Sequence, residues 1–148
     1  SMSHRFSTVF PPKKSSSNRP VRAFLEKKPV SENFYYREDK YMYKELVQTM
    51  TSDDTLYQWR RQYVRENKSN RCPTLTANMG TGGHNVPLIR TTDGFRKLTP
   101  RECFNFQGFP KRFKLPKELA NSHLYKQSGN SVSVPLIQLL AKRIRQVL

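Results

Sequence analysis

RCPTLTANMGTGGHNVPLIRTTDGFRKLTPRECFNFQGFP, residues Arg71–Pro110, decides how the rest of the chain is read. It divides into a glycine-rich polar loop, a short strand, a basic turn and a capped helix. Cys72-Pro73-Thr74-Leu75-Thr76 reads as a short strand running into the loop Ala77–Asn85. In that loop Gly80, Gly82 and Gly83 let backbone approach a ligand closely. Asn78, Thr81, His84 and Asn85 offer donors and acceptors suited to base edges. An ordinary hairpin loop has the same composition, and no Gly-Lys-Ser/Thr follows that would make it a Walker phosphate loop. Val86-Pro87-Leu88-Ile89 reads as the return strand, with Pro87 suggesting a sheet edge. Thr91-Thr92-Asp93-Gly94 reads as a turn.

The helix after it has firm boundaries. Thr99 suits the N-cap, Pro100 the first helical position, and Glu102 completes a capping box. Gly108 is placed for the C-terminal cap and Pro110 prevents continuation. A helix over Arg101–Gln107 follows, with Cys103 and Phe106 turned inward and Phe109 packing nearby.

Upstream, residues 1–33 are rich in Pro, Ser, Lys and Arg and read as a loose basic arm, pinned only at Phe24 and Leu25. Tyr43, Leu46, Val47 and Met50 recur at helical spacing, so a helix with one apolar face is expected there. Leu56–Val64 is rich in aromatic and β-favouring residues and reads as a strand or strand pair, with Trp59 a core side chain more readily than a base-stacking platform. Arg60, Arg61, Arg65, Lys68 and Arg71 make it basic; they suit phosphates and guanine edges, or simply a solvated face. Downstream, Lys111–Lys117 is a basic turn. The last helix starts near Ser133 and Pro135 and carries the apolar stripe Ile137, Leu140, Ile144 and Val147. That stripe needs cover, from this chain or from a partner.

Composition sets the frame. The 148 residues include 27 Lys/Arg and 11 Asp/Glu, for a formal net charge of +16. Mean hydropathy is −0.80, so the core is modest for the length. A charge of this size favours a polyanionic partner through counterion release, beside its contribution to solubility. Cys72 and Cys103 are the two cysteines, and with His4, His84 and His123 they form no ligand spacing, so no metal site is expected. No apolar run has transmembrane length, which argues against a membrane role.

From Arg71 onward the chain resembles the bacterial DNA (cytosine-5)-methyltransferases. Thr74-Leu75 and the glycine-rich loop are similar to the base-recognition loop of that family. Arg96-Lys97-Leu98-Thr99-Pro100-Arg101-Glu102-Cys103 through Gln107-Gly108-Phe109-Pro110 resembles its ninth motif. Tyr125-Lys126-Gln127-Ser128-Gly129-Asn130-Ser131-Val132 resembles its tenth. The basic arm resembles, more loosely, the segment after the eighth motif. The resemblance implies that Arg60, Arg61, Arg65, Lys68 and Thr74, Leu75, Thr76, with the Asn78–Asn85 loop, meet double-stranded DNA whose target cytosine is flipped out. It implies that Asn130, Ser131 and Val132 lie by S-adenosylmethionine, and that Arg101 and Glu102 organise structure.

The family nucleophile, a cysteine in a Pro-Cys pair backed by Glu-Asn-Val, has no match. Cys72-Pro73 is reversed, and neither thiol has an activating neighbour in sequence. The Phe-x-Gly-x-Gly cofactor loop is also absent. No residue here is therefore assigned a catalytic role, and the chain alone is expected not to methylate DNA. The expectation is an α+β fold: a small, mostly antiparallel recognition region, short helices and a C-terminal helix, completing a Rossmann-like catalytic domain held elsewhere. Its parts are an arm (1–33), a recognition domain (34–98) and docking helices (99–148). The partner implied is a catalytic chain or domain carrying motifs one to eight, in the bacterial cytoplasm at the nucleoid. Met2 reads as a natural start, which favours a split-enzyme subunit over a piece of a longer enzyme. The other readings are a non-catalytic DNA-binding module and a tRNA-methylating relative, against which the long loop argues.

Overall fold

A computed structural model describes residues 19–68, 71–81 and 85–147. Its centre is an antiparallel sheet of β1 (Tyr35–Tyr36), β2 (Leu56–Arg60), β3 (Tyr63–Asn67), β4 (Leu88–Thr91) and β5 (Gly94–Lys97), in the order β1-β5-β4-β2-β3. Helices α1 (Tyr43–Thr49), α2 (Pro100–Phe106), α3 (Asn121–Asn130) and α4 (Val134–Val147) complete the α+β fold expected from the sequence.

Both faces of the sheet are covered, because successive side chains on a strand alternate. Leu56, Ile89 and Leu98 enter one core with Val21, Phe34, Met79, Val86, Cys103 and Tyr125. Tyr57, Val64 and Leu88 enter the other, beneath Met42, Leu46 and Met50 of the α1 segment. The helical stripe there is Met42-Leu46-Met50, all at most 2% exposed, whereas Val47 is 49% exposed. Spacing by four turns the apolar face away from Val47, correcting the expected face. Arg90 closes the far end of α1, donating to the carbonyls of Thr51 (2.7 Å) and Met50 (3.4 Å).

Two strand expectations change. Residues 71–76 form no strand and pair with none of the five, so the loop after them is not a hairpin loop. And β4 is central, flanked by β5 and β2, so Pro87 marks no edge. Pro87 lies just before the first ladder residue, where its missing N–H costs nothing. Its carbonyl accepts from Leu98 N at 2.9 Å.

The arm expected over 1–33 falls partly outside the described residues. From Arg19 on, the chain packs onto the body. Val21 is 1% exposed, Phe24 stacks on Phe106 at 4.7 Å, and Asn105 Nδ2 donates to Phe24 O at 2.8 Å. One core thus draws side chains from all three expected segments.

Helix α2 begins as its sequence dictates. Thr99 Oγ1 accepts from Glu102 N, and the Glu102 carboxylate accepts from Thr99 N at 2.8 Å, with Pro100 at the first position. It ends in a Schellman motif: Phe109 N donates to Phe104 O (3.1 Å) and Gly108 N to Asn105 O (2.9 Å). Gly108 has φ +81°, and a Cβ there would meet Pro135 Cδ at 2.4 Å. Gly108 therefore seats α4 as well as ending α2. Helix α3 was not anticipated, since its Asn, Ser, His and Gly residues give a weak helical signal. Packing overrides propensity: Leu124, Tyr125 and Ser128 are buried, and Tyr125 Oη donates to Leu98 O at 2.5 Å.

Candidate nucleic-acid interface

The β2–β3 hairpin leaves the core as it runs outward. Leu56 is buried, but Gln58 and Arg60, two and four residues on, share its face and stand clear of the core. Register sets Asn67, Arg65 and Tyr63 opposite Leu56, Gln58 and Arg60. One hairpin face thus carries Gln58, Arg60, Tyr63, Arg65 and Asn67. Glu66 pairs with Tyr57 on the other face, so the only nearby acid points away.

Against this face lies the unpaired stretch Arg71–Asn78, tied to the end of β3 where Asn67 Nδ2 donates to Arg71 O at 2.5 Å. Between them is a cleft of about 560 Å³. Its walls include Gln58, Arg60, Arg65, Asn67, Lys68, Arg71, Thr74, Thr76, Asn78 and Asn85. Four of these are cations and none is an acid. Net attraction for anions follows, strengthened by the concave low-dielectric walls.

The cleft gathers seven of the residues singled out for DNA contact: Arg60, Arg65, Lys68, Thr74, Thr76, Asn78 and Asn85. It does not gather Arg61, Leu75, Gly80 or Thr81. Arg61 stands exposed on the hairpin turn with φ +53°, and Leu75 is 8% exposed in the core. Thr81 turns back on the loop, its Oγ1 donating to Asn78 O at 2.8 Å. Gly82, Gly83 and His84 lie outside the described residues. Sequence reasoning passed over Gln58 and Asn67; the two-residue period of β2 and β3, once recognised, places both on the cleft face.

Gly80 faces inward, where a Cβ would meet Ser122 O of α3 at 2.5 Å. At Gly129 of α3 a Cβ would meet the Thr76 carbonyl carbon at 2.1 Å. Two glycines on opposite sides of one contact thus let α3 lie directly against the Thr76–Gly80 segment, which gives the cleft Thr76 and Asn78.

Asn130, Ser131 and Val132 follow at the end of α3. Asn130 is exposed, Val132 is 58% exposed, and Ser131 Oγ donates to Ser128 O at 2.7 Å. An exposed amide and an exposed apolar side chain are groups of the kind that can line one side of a nucleoside.

Strand β5 carries a different arrangement. The Glu102 carboxylate is fully buried and accepts from Arg96 Nη1 (2.7 Å), Arg96 Nη2 (2.8 Å), Thr99 N (2.8 Å) and Glu26 N (2.9 Å). Burial opposes the Arg96 charge, but hydrogen bonds and attraction from Glu102 outweigh it and the guanidinium pKa goes up. The Thr99 hydroxyl also donates to the Glu26 carboxylate at 2.6 Å, tying the N-terminal segment to α2. Arg101, in contrast, reaches outward to Phe113 O, clipping residues 110–113 over the Phe104, Phe109 and Phe113 rings.

Both cysteines are free. Burial pushes the Cys72 thiol up to about 12, and pushes Cys103, which is fully buried, well above its ordinary value. Neither supplies a thiolate near neutrality. Among the described residues no His, Cys, Asp and Glu group could hold a metal ion, and no helix is long and apolar enough to cross a membrane.

Fold and cleft define an α+β module with a basic, acid-free concave face. Residues 2–146 match the family described as C-5 cytosine-specific DNA methylase. The chain belongs to that family. It is 68% identical over 116 residues to Type II methyltransferase M.Bsp6I of Bacillus sp. (strain RFL6), covering 78% of this chain and 36% of that protein. It is 30% identical over 131 residues to Type II methyltransferase M.NgoBI of Neisseria gonorrhoeae, covering 88% of this chain and 39% of that one. The chain thus spans well under half the length of these curated relatives. The S. pombe Dnmt2 methyltransferase superposes with a TM-score of 0.63 over 97% of this chain and 45% of its own, at 15% identity, a likeness of fold.

Proposed function

We propose that this chain is the target-recognition part of a DNA (cytosine-5)-methyltransferase. The complete enzyme transfers a methyl group from S-adenosylmethionine to carbon 5 of cytosine in double-stranded DNA, in the bacterial cytoplasm. The acid-free cleft carries this reading: four cations and the amides of Asn67, Asn78 and Asn85 converge on one concave surface. Arginine and lysine neutralise phosphate, and amides and guanidiniums read base edges.

Catalysis is assigned to a partner chain or domain bearing motifs one to eight. The raised thiols of Cys72 and Cys103 support this, since attack on cytosine carbon 6 needs a thiolate. Asn130, Ser131 and Val132 would form one side of the S-adenosylmethionine pocket, which supplies the electrophilic methyl group. The exposed Leu136, Ile137 and Ile144 of α4 supply an apolar surface for the partner to cover. Arg96, Glu102 and Glu26 tie β5, the start of α2 and the N-terminal segment together.

The test is transfer of labelled methyl from S-adenosylmethionine to mixed-sequence duplex DNA. Activity is expected only when this chain is combined with one carrying motifs one to eight. Activity from this chain alone would refute the assignment of catalysis elsewhere. Specific DNA binding with no activity in any combination would instead favour a non-catalytic module.

A further inference from the structure

Gln58 lies at the centre of the cleft face, and its side-chain carbonyl does something unusual for an amide. Gln58 Oε1 accepts from Arg60 Nη2 at 2.9 Å and from Arg65 Nη2 at 3.2 Å. One neutral oxygen thus draws two guanidiniums together. The sheet makes this inevitable: Arg65 is Gln58's cross-strand partner, and Arg60 is the next residue on the same face. Among the described residues neither guanidinium has another hydrogen-bond or ion-pair partner. Each therefore keeps most of its five donors free, with one edge fixed. An acid at position 58 would have cancelled one of the two charges; an amide orients the pair and leaves both charges in place.

We infer that Gln58 is a positioning residue for sequence readout, holding Arg60 and Arg65 so that their free edges meet the paired acceptors of guanine in the major groove. This rests on the DNA-recognition reading above. Guanine O6 and N7 match a guanidinium fork, and a fork fixed before contact loses less side-chain entropy on binding. A DNA phosphate presents similar acceptors. Guanine is favoured because the pair lines a cleft shared with Asn67 and Asn78, side chains suited to base edges, instead of an open ridge.

The experiment uses the full chain and a duplex library with a randomised centre. The best selected duplex is remade with 7-deazaguanine replacing each guanine in turn, which removes the N7 acceptor and leaves every phosphate. The natural chain is expected to lose about tenfold in affinity at one or more positions. Gln58→Leu is expected to abolish that discrimination, with an unchanged melting temperature and an unchanged slope of affinity against salt, since both charges remain. Gln58→Met, which keeps the side-chain length but not the accepting oxygen, should do the same and carries the test if Gln58→Leu does not fold, while Arg65→Lys, which keeps charge but not the fork, checks that the arginine itself reads the base. Indifference of the natural chain to 7-deazaguanine would move the arginines to phosphate and overturn the inference. So would retained discrimination in a folded Gln58→Leu. Failure of the natural chain to bind any duplex would remove the DNA-recognition reading itself, and the inference with it.

Discussion

Two arginine sites in this protein, built on the same sheet, have opposite relations to charge. Arg96 is 3% exposed and meets a buried carboxylate through two short hydrogen bonds, with Glu102 further held by two backbone amides. Arg60 and Arg65 are exposed, share one amide oxygen, and have no acid on their face of the hairpin. Charge matched inside the chain is architecture. Charge left unmatched on a concave surface is free to meet a partner. The same side chain serves both because its environment, not its identity, decides which donors remain unused.

Breaking the buried site has the largest expected effect. Glu102→Ala strands the Arg96 guanidinium and two amides in the core, and should cost about 3–5 kcal/mol in urea denaturation. Replacing both partners with apolar residues of similar volume should recover much of that loss, which separates the cost of a stranded charge from the worth of the pair. A smaller loss, about 1–3 kcal/mol, is expected for Gly129→Ala, whose methyl meets the Thr76 backbone. Because Thr76 lines the cleft, that variant should also weaken DNA binding, linking the two regions.

At the cleft the balance reverses. Arg60→Ala and Arg65→Ala should each leave stability within about 0.5 kcal/mol. Where an arginine touches phosphate, its loss reduces the slope of log affinity against log salt by about one. If the arginines read bases, the slope holds and sequence preference relaxes instead. The smallest effect concerns pH. Cys72 holds its proton in the folded chain up to about 12, whereas an exposed thiol releases it near its ordinary value. Between those values the unfolded chain binds fewer protons, so stability should fall as pH rises above about 9. Alkylation of both cysteines should be slow in the folded chain at pH 8 and rapid in urea. Fast native alkylation of Cys72, which is half-buried at the cleft, would contradict its raised thiol pKa.

Helix α2 was legible in the sequence down to its caps, because Thr99, Pro100, Glu102 and Gly108 act within one or two turns of themselves. The basic hairpin was legible as a strand or strand pair of high charge. Its facing was not: which of Arg60, Arg61 and Arg65 share a surface depends on register, and on Arg61 occupying the turn. Glu102 was singled out through a family resemblance, but its partner Arg96 was not. Their pairing joins a strand to a helix, and Glu26 joins from much earlier in the chain. Helix α3 was missed because its stability comes from contacts with Leu98 and Thr76, not from its own residues.

The sequence by itself determined the charge, the local caps and turns, and the order of elements that marks the family. These depend on composition and on contacts a few residues apart. Only the tertiary structure decided that β4 is central, that Glu66 faces away from the cleft, and that Gln58 joins two arginines. Those outcomes are set by strand order and by which side of the sheet each core occupies, and both depend on contacts between residues far apart in the chain.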